Sequence, residues 1–307
     1  MARTQPSATS GGPGAGGASV PEVRAAVLAW YHPRPHDYPW RSARPDPYAV
    51  LVSEVMLQQT QAARVAPVYR TFLQRFPDVR SLSSAARAEV LRAWAGLGYH
   101  RRVMALREAA RAIVRDHGGR VPGEVEALRA LPGVGPYTAA AVASIAFGAR
   151  VAAVDTNVRR ITARLLHGAE PDEVSPHRLQ ADADALVVDG APGDWNQAMM
   201  DLGRFVCRPA PRCGECPVAF TCRFALEGRV PRPSIHRQPV FEGSTRQARG
   251  RVLAALRDRG GASVRELAAL TGMPVERAAR AATALAEDGV VTLAPGGGPV
   301  DAYVSID

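Results

Sequence analysis

Apolar residues recur at helical spacing along most of the chain, and strand-like alternation is weak before residue 225. Ser19, with Pro21 in the first turn, starts a helix through about Trp30, and Val23, Val27 and Trp30 share one face of it. A Pro-rich loop from His32 to Pro47 follows. The helical pattern resumes over Tyr48–Ala66 and again over about Ala86–Trp94, Val103–Asp116, Val125–Ala130, Tyr137–Phe147, Asn157–Leu166, Pro176–Val188 and Trp195–Val206. The class predicted to residue 225 is therefore all-α. Met1–Ser19, rich in Gly, Ser, Ala and Pro, reads as a disordered tail without the apolar core of a secretory signal. No apolar stretch approaches the roughly 20 residues that span a bilayer, so the expected location is the cytoplasm.

The pattern changes after a polar, Pro-containing linker, Val230–Gly243. From Ser244 it predicts helices over Arg246–Arg257, Val264–Leu270 and Pro274–Asp288, then apolar runs Val290–Leu293 and Ala302–Ile306 around a Gly-rich turn. Ser263 and Glu266 have capping-box spacing, and Pro274 suits a first helical turn. Three helices and a short hairpin describe a winged-helix-like α/β unit. It either grips DNA through Pro274–Asp288, with Arg277 and Arg280 on phosphates, or docks on the rest of the chain or on a partner.

Charge narrows the partner. The chain has 38 Lys+Arg against 29 Asp+Glu, a formal net charge of +9, which favours a polyanion such as nucleic acid. All 38 cations are arginine, so no lysine amine is present to form a Schiff base with a sugar.

Four local patterns carry candidate chemistry. Cys207, Cys213, Cys216 and Cys222 lie as C-x5-C-x2-C-x5-C, which points to a metal site rather than disulfides. Structural zinc usually takes two C-x2-C knuckles, and the wider gaps here favour an iron–sulfur cluster without eliminating zinc. Leu131-Pro132-Gly133-Val134-Gly135 joins two helices. It is either an ordinary αα turn or a phosphate-gripping hairpin whose amides face an anion. Glu54 sits within the apolar run Ala49–Leu57, either on a narrow solvated face or as a buried carboxyl able to donate a proton near neutral pH. Gln58, Gln59 and Gln61 follow it and suit base edges. Asp155 precedes a predicted helix, where it serves as N-cap and, held ionised by helix amides, as an electrostatic stabiliser. Two carboxylates tuned in opposite directions are the equipment for breaking a glycosidic bond.

Pro39-Trp40-Arg41, SEVMLQQTQ (Ser53–Gln61), GLGY (Gly96–Tyr99), Leu131–Gly135, VDTNV (Val154–Val158), NQAMMDLG (Asn196–Gly203) and the cysteine cluster occur in that order. Together they resemble the adenine DNA glycosylases of the MutY family, within the helix-hairpin-helix superfamily, over about Val20–Phe224. The resemblance implies two helical lobes around a DNA cleft, a 4Fe–4S cluster on the four cysteines, and double-stranded DNA with adenine opposite 8-oxoguanine or guanine as substrate. It implies a discontinuous cluster lobe, 20–45 with 150–229, and a hairpin lobe, 46–149, followed by the linker and the unit 244–307. Glu54 is implied as general acid, Asp155 as the carboxylate facing the developing sugar cation, and Asn157 as its neighbour. Tyr137 falls where lyase-type relatives carry a Schiff-base lysine. Trp40, Arg41, Leu57 and Gln197, with Gln58 beside them, resemble the pocket for a flipped adenine. Gln59 and Tyr99 resemble the groups that fill the gap in the duplex, and Gly133, Val134 and Gly135 the hairpin turn on DNA. The expectation is a monomeric, monofunctional glycosylase of base excision repair. The alternatives are a thymine or uracil glycosylase of the same superfamily and a non-enzymatic iron–sulfur DNA-binding regulator.

Three features depart from the family's pattern. The first cysteine gap is five residues where six is usual. His100 stands where many relatives carry a second tyrosine. The 81 residues after Leu226 are fewer than a Nudix-like C-terminal domain needs.

Overall fold

The structure, a computed structural model, describes residues 19–34, 37–232, 240–294, 296 and 300–306. The tail before Ser19 and half of the expected linker, residues 233–239, lie outside these residues. The helices are α1 (Val20–Tyr31), α2 (Pro47–Leu57), α3 (Ala62–Arg75), α4 (Val79–Ser84), α5 (Arg87–Ala93), α6 (Arg101–His117), α7 (Val125–Arg129), α8 (Pro136–Phe147), α9 (Thr156–His167), α10 (Pro176–Leu186), α11 (Pro192–Phe205), α12 (Arg223–Leu226), α13 (Thr245–Arg259), α14 (Val264–Thr271) and α15 (Val275–Glu287). The strands are β1 (Gly261–Ser263), β2 (Thr292–Ala294) and β3 (Tyr303–Ser305). The chain divides into two compact units, one built from residues 1–34 with 154–234, the other from 35–153 with 235–307.

In the first unit α1 packs on α11, and α9 packs on α10, α11 and α12. Ser19 and Glu22 form a capping box at the start of α1. The Arg24 guanidinium closes the far end of α10, donating to the carbonyls of Ala185 and Leu186 at 3.0 Å each and of Val187 at 2.8 Å. These carbonyls have no partner within the helix, so an arginine brought from α1 satisfies them.

In the second unit α2 is the central element. Every residue from Val50 to Met56 is buried, and α2 packs on α3, α6 and α8. Asp46 caps it, accepting from the Ala49 amide at 2.8 Å. The helical pattern over Tyr48–Ala66 does not fold as one helix. It breaks at Gln58–Gln61, because Gln59 adopts φ +56° and Arg102 takes the carbonyls that would have continued the ladder. The short α4, with three serines in six residues, was not legible in the apolar periodicity.

The C-terminal segment forms α13–β1–α14–α15–β2–β3. Its sheet is antiparallel in the order β1-β3-β2, with Val304 facing both Ala262 and Leu293. The Ser263–Glu266 capping box is present, while β1 is a strand that the pattern did not announce. This segment shares one continuous hydrophobic core with α2–α8. Arg92 Nε donates to the Arg257 carbonyl at 3.1 Å, and Arg87 donates to Thr292 Oγ1 at 3.0 Å.

Candidate active site

Glu54 lies on α2 with only 5% of its surface exposed, among Leu51, Val52, Val55 and Met56, each 3% exposed or less. The solvated-face reading of Glu54 is therefore excluded. The end of the same helix presents Leu57 and Gln58, both half-buried, and the exposed Gln59. Gln58 Nε2 donates to Thr138 Oγ1 at 3.2 Å, which ties the glutamine turn to the first turn of α8, where Tyr137 sits half-buried. On the loop before α2, Trp40 stacks on Tyr38 at 5.0 Å and meets the edge of Tyr69 at 5.7 Å. The Arg41 guanidinium lies 5.4 Å from the Tyr38 ring centre. An aromatic stack with a cation beside it is a surface on which a planar base can lie.

Among the described residues, the non-glycine positions with positive φ are Gln59 at +56° and Tyr99 at +48°. Both sit in a region that ordinarily disfavours side chains. One residue, not anticipated from the sequence, joins them. Arg102 NH1 donates to the carbonyls of Val55 at 2.9 Å and Met56 at 3.1 Å, and also to that of Gln58. Its NH2 donates to Thr60 Oγ1 at 3.0 Å and approaches the Gly98 carbonyl at 3.4 Å. The guanidinium carbon lies 5.2 Å from the Tyr99 ring centre. Burial pushes the Arg102 pKa down to about 10, so it stays charged at neutral pH. The only hint in the sequence was a second arginine after GLGY.

The Leu131–Gly135 turn is closed by the Val134 amide on the Leu131 carbonyl at 3.1 Å. Val134 is buried while Gly133 and Gly135 are exposed. Gly133 has φ +75°, and a Cβ there would meet Ala105 Cβ at 2.6 Å, so both conformation and packing against α6 demand glycine.

Asp155 belongs to the first unit and is the N-cap of α9. Its Oδ1 accepts from the amides of Asn157 at 2.8 Å and Val158 at 2.7 Å, and its Oδ2 accepts from Asn157 Nδ2 at 2.8 Å. Burial nevertheless raises the carboxyl above the ordinary aspartate value, outweighing these hydrogen bonds and the nearby Arg160. Arg160 extends the set, donating to Asn157 Oδ1 at 2.8 Å, the Gly203 carbonyl at 2.9 Å and the Cys207 carbonyl at 2.7 Å. Gly203 lets α11 approach, since a Cβ there would meet Asn157 Cβ at 2.5 Å. Gln197, also on α11, accepts from the Tyr31 hydroxyl at 3.2 Å.

Cys207, Cys213, Cys216 and Cys222 line one cavity with Arg164, Val206 and Phe224. Arg164 NH1 lies 3.9 Å from Cys207 Sγ. Burial pushes the Cys207 and Cys222 thiols up and that of Cys216 to about 11, so thiolates here need a compensating positive charge. Among the described residues, no group of three His, Cys, Asp or Glu side chains is arranged to hold a single metal ion.

Comparison with known proteins places these features in a lineage. Residues 52–182 match the HhH-GPD superfamily of base excision DNA repair proteins. An adenine DNA glycosylase of Mycobacterium tuberculosis is 45% identical over 236 residues, covering 75% of this chain and 77% of that protein. The chain belongs to the adenine DNA glycosylase family. The Homo sapiens adenine DNA glycosylase is 45% identical over 217 residues, which are 67% of this chain and 40% of that protein. A solved thermostable thymine-DNA glycosylase superposes with a TM-score of 0.63 at 31% identity, covering 68% of this chain and 97% of that one. An endonuclease III in a non-covalent DNA complex shares the fold, with a TM-score of 0.58 at 23% identity over 69% of this chain and 98% of that one. Among the described residues no helix is long and apolar enough to cross a membrane.

Proposed function

We propose that this adenine DNA glycosylase family member is a monomeric, monofunctional base-excision enzyme acting in the cytoplasm on double-stranded DNA, and that it releases adenine opposite 8-oxoguanine or guanine by hydrolysis. The observation that carries the reading is Glu54, a carboxyl 5% exposed within an apolar helix whose end presents hydrogen-bonding glutamines. Adenine leaves poorly as an anion. Glu54 donates a proton to the flipped base, held against Trp40, Arg41, Leu57 and Gln58, as the bond from the sugar to the ring nitrogen breaks. The electron pair departs with the base, and positive charge develops on the sugar. Asp155, positioned by Asn157 and the α9 amides, faces that cation as a carboxylate and stabilises it. Water then adds to the sugar carbon and gives up a proton, leaving an abasic site. Tyr137 stands at the lyase position, and the chain has no lysine to open the sugar by a Schiff base. Gln59 and Tyr99 fill the gap left by the flipped base, and Gly133, Val134 and Gly135 hold backbone phosphate.

The four-cysteine cavity fits a 4Fe–4S cluster, one thiolate to each iron, which would staple the loop Cys207–Cys222 beside α9. Anaerobically purified protein should carry about four irons per chain, and stoichiometric zinc without iron would refute this. The topology and sheet order of the C-terminal segment support a winged-helix assignment.

The deciding experiment compares base release from duplexes carrying A opposite 8-oxoguanine, A opposite G, and T opposite G. Glu54→Gln keeps shape and hydrogen bonding but cannot deliver the proton. It should bind the first duplex as wild type does, yet release adenine at least about 100-fold more slowly in single turnover. A variant within threefold of wild type, or a preference for T opposite G, sinks the proposal.

A further inference from the structure

We propose that the C-terminal winged-helix segment is a brace for the Tyr99 loop, docking on α5 and the start of α6 to hold Tyr99 in its strained conformation, rather than a reader of DNA. The role of Tyr99 at the duplex rests on the proposed function above, and the bracing itself does not.

The outward face of α15 argues against reading. Its exposed side chains are Glu276, Arg280, Thr283 and Glu287, two acids against one base, which repels phosphate as much as it attracts it. Arg277 is half-buried and turns one nitrogen inward, donating to the Ser244 carbonyl at 3.3 Å. The acid just past the helix points elsewhere. Asp288 pairs with Arg249 of α13 and lies 4.0 Å from Arg101, two residues beyond Tyr99.

The contacts with the lobe flank one short stretch of chain. On its upstream side Arg92 Nε bonds the Arg257 carbonyl at 3.1 Å, and Arg87 bonds Thr292 at 3.0 Å. On its downstream side stand Asp288 and Arg101. Between them lies Gly96–His100, with Gly96 at φ +88°, Gly98 at +68° and Tyr99 at +48°. His100 is half-buried, with Arg249 and Arg257 near enough to depress its basicity. Tyr99 itself is 43% exposed, so part of its ring reaches solvent while the backbone on both sides is held. A loop held in a sparsely populated conformation persists only when its surroundings over-determine it. Arg102 fixes this loop from within the lobe, and the C-terminal segment fixes it from outside.

The test uses the full chain. Asp288→Arg sets a third cation against Arg101 and Arg249. Amide hydrogen exchange over residues 96–104, measured without DNA, should quicken roughly tenfold, with α8 unchanged. Affinity for a duplex carrying adenine opposite 8-oxoguanine should fall about fivefold, and that loss should vanish in a Tyr99→Ala background, where there is no ring left to position. Combining Asp288→Arg with Arg249→Asp should restore both readings. If Asp288→Arg disturbs folding, Arg87→Ala with Arg92→Ala removes the two lobe-side donors and should reproduce both effects. Unchanged exchange over 96–104 overturns the brace, and so does an equal affinity loss with and without the Tyr99 ring. The exchange arm needs no catalysis, so failure of the glycosylase reading would appear separately, as wild-type protein that releases no adenine.

Discussion

Arg102→Met removes the guanidinium while keeping a long apolar stem. The structure sets the size of the loss. Gln59 and Tyr99 in the left-handed region cost roughly 1–3 kcal/mol each, which the surrounding bonds must offset. Arg102 makes two separable anchorages, one on the carbonyls ending α2 and one on Thr60 and Gly98. A hydrogen bond to a charged group is worth about 1.5–3 kcal/mol net, and bonds that share one donor nitrogen do not add. The two anchorages together give about 3–6 kcal/mol. For a folding unit of this size that lowers the melting temperature by roughly 10 °C. Arg102→Lys keeps the charge but cannot span both anchorages with one ammonium, and should recover less than half of the loss. Urea unfolding followed by circular dichroism measures the stability change. Duplex binding at a temperature where each variant is fully folded measures the rest. Binding should weaken about tenfold in Arg102→Met, because both strained residues are free to relax. A stability loss under about 1 kcal/mol would mean that the strut contributes no more than a surface pair, and the account of the two loops would fail.

Gly133→Ala forces a side chain into positive φ and against Ala105, and should cost about 2–4 kcal/mol in thermal unfolding. A loss near zero would show that the turn relaxes freely. Asp155→Asn gives up one acceptor and sets an amide against the Asn157 amide, while relieving the cost of a buried carboxylate. Stability should therefore move by no more than about 1 kcal/mol, and single-turnover adenine release should fall about 100-fold or more. Burial, aided by Arg257, Arg249 and Arg102, pushes His100 down to about 4. The unfolded chain then takes up a proton below about pH 6.5 that the folded chain refuses until about pH 4. Stability is lost as pH falls through that window, by about 3 kcal/mol at its foot, and His100→Gln should flatten this stretch of the stability curve.

Helix positions were legible because apolar spacing and capping residues agree. Ser19 with Pro21, and Ser263 with Glu266, start the helices they were expected to start. The break in Tyr48–Ala66 was not legible, because Arg102, 42 residues beyond Thr60, creates it. β1 is Gly-Ala-Ser, a poor strand former by composition, and is a strand only because β3 pairs with it. The four cysteines declared themselves by spacing, whereas the strain at Gln59 and Tyr99 left no local mark. The burial of Asp155 was equally hidden, since an N-cap reads the same in sequence whether wet or dry.

The bond from Arg24 to the end of α10 joins residues 162 positions apart. A ribosome adding about 5–20 residues per second needs roughly 8–30 s to pass from one to the other. Throughout that interval α1 carries Val23, Val27 and Tyr31 with no α11 to cover them. Residues 35–153 are synthesised in the meantime and can collapse first, around α2. The nascent chain therefore spends its early life with an oily, unmatched N-terminal helix tethered to a lobe already taking shape. Slowed synthesis between residues 34 and 186 should lengthen this exposure and increase capture by trigger-type chaperones.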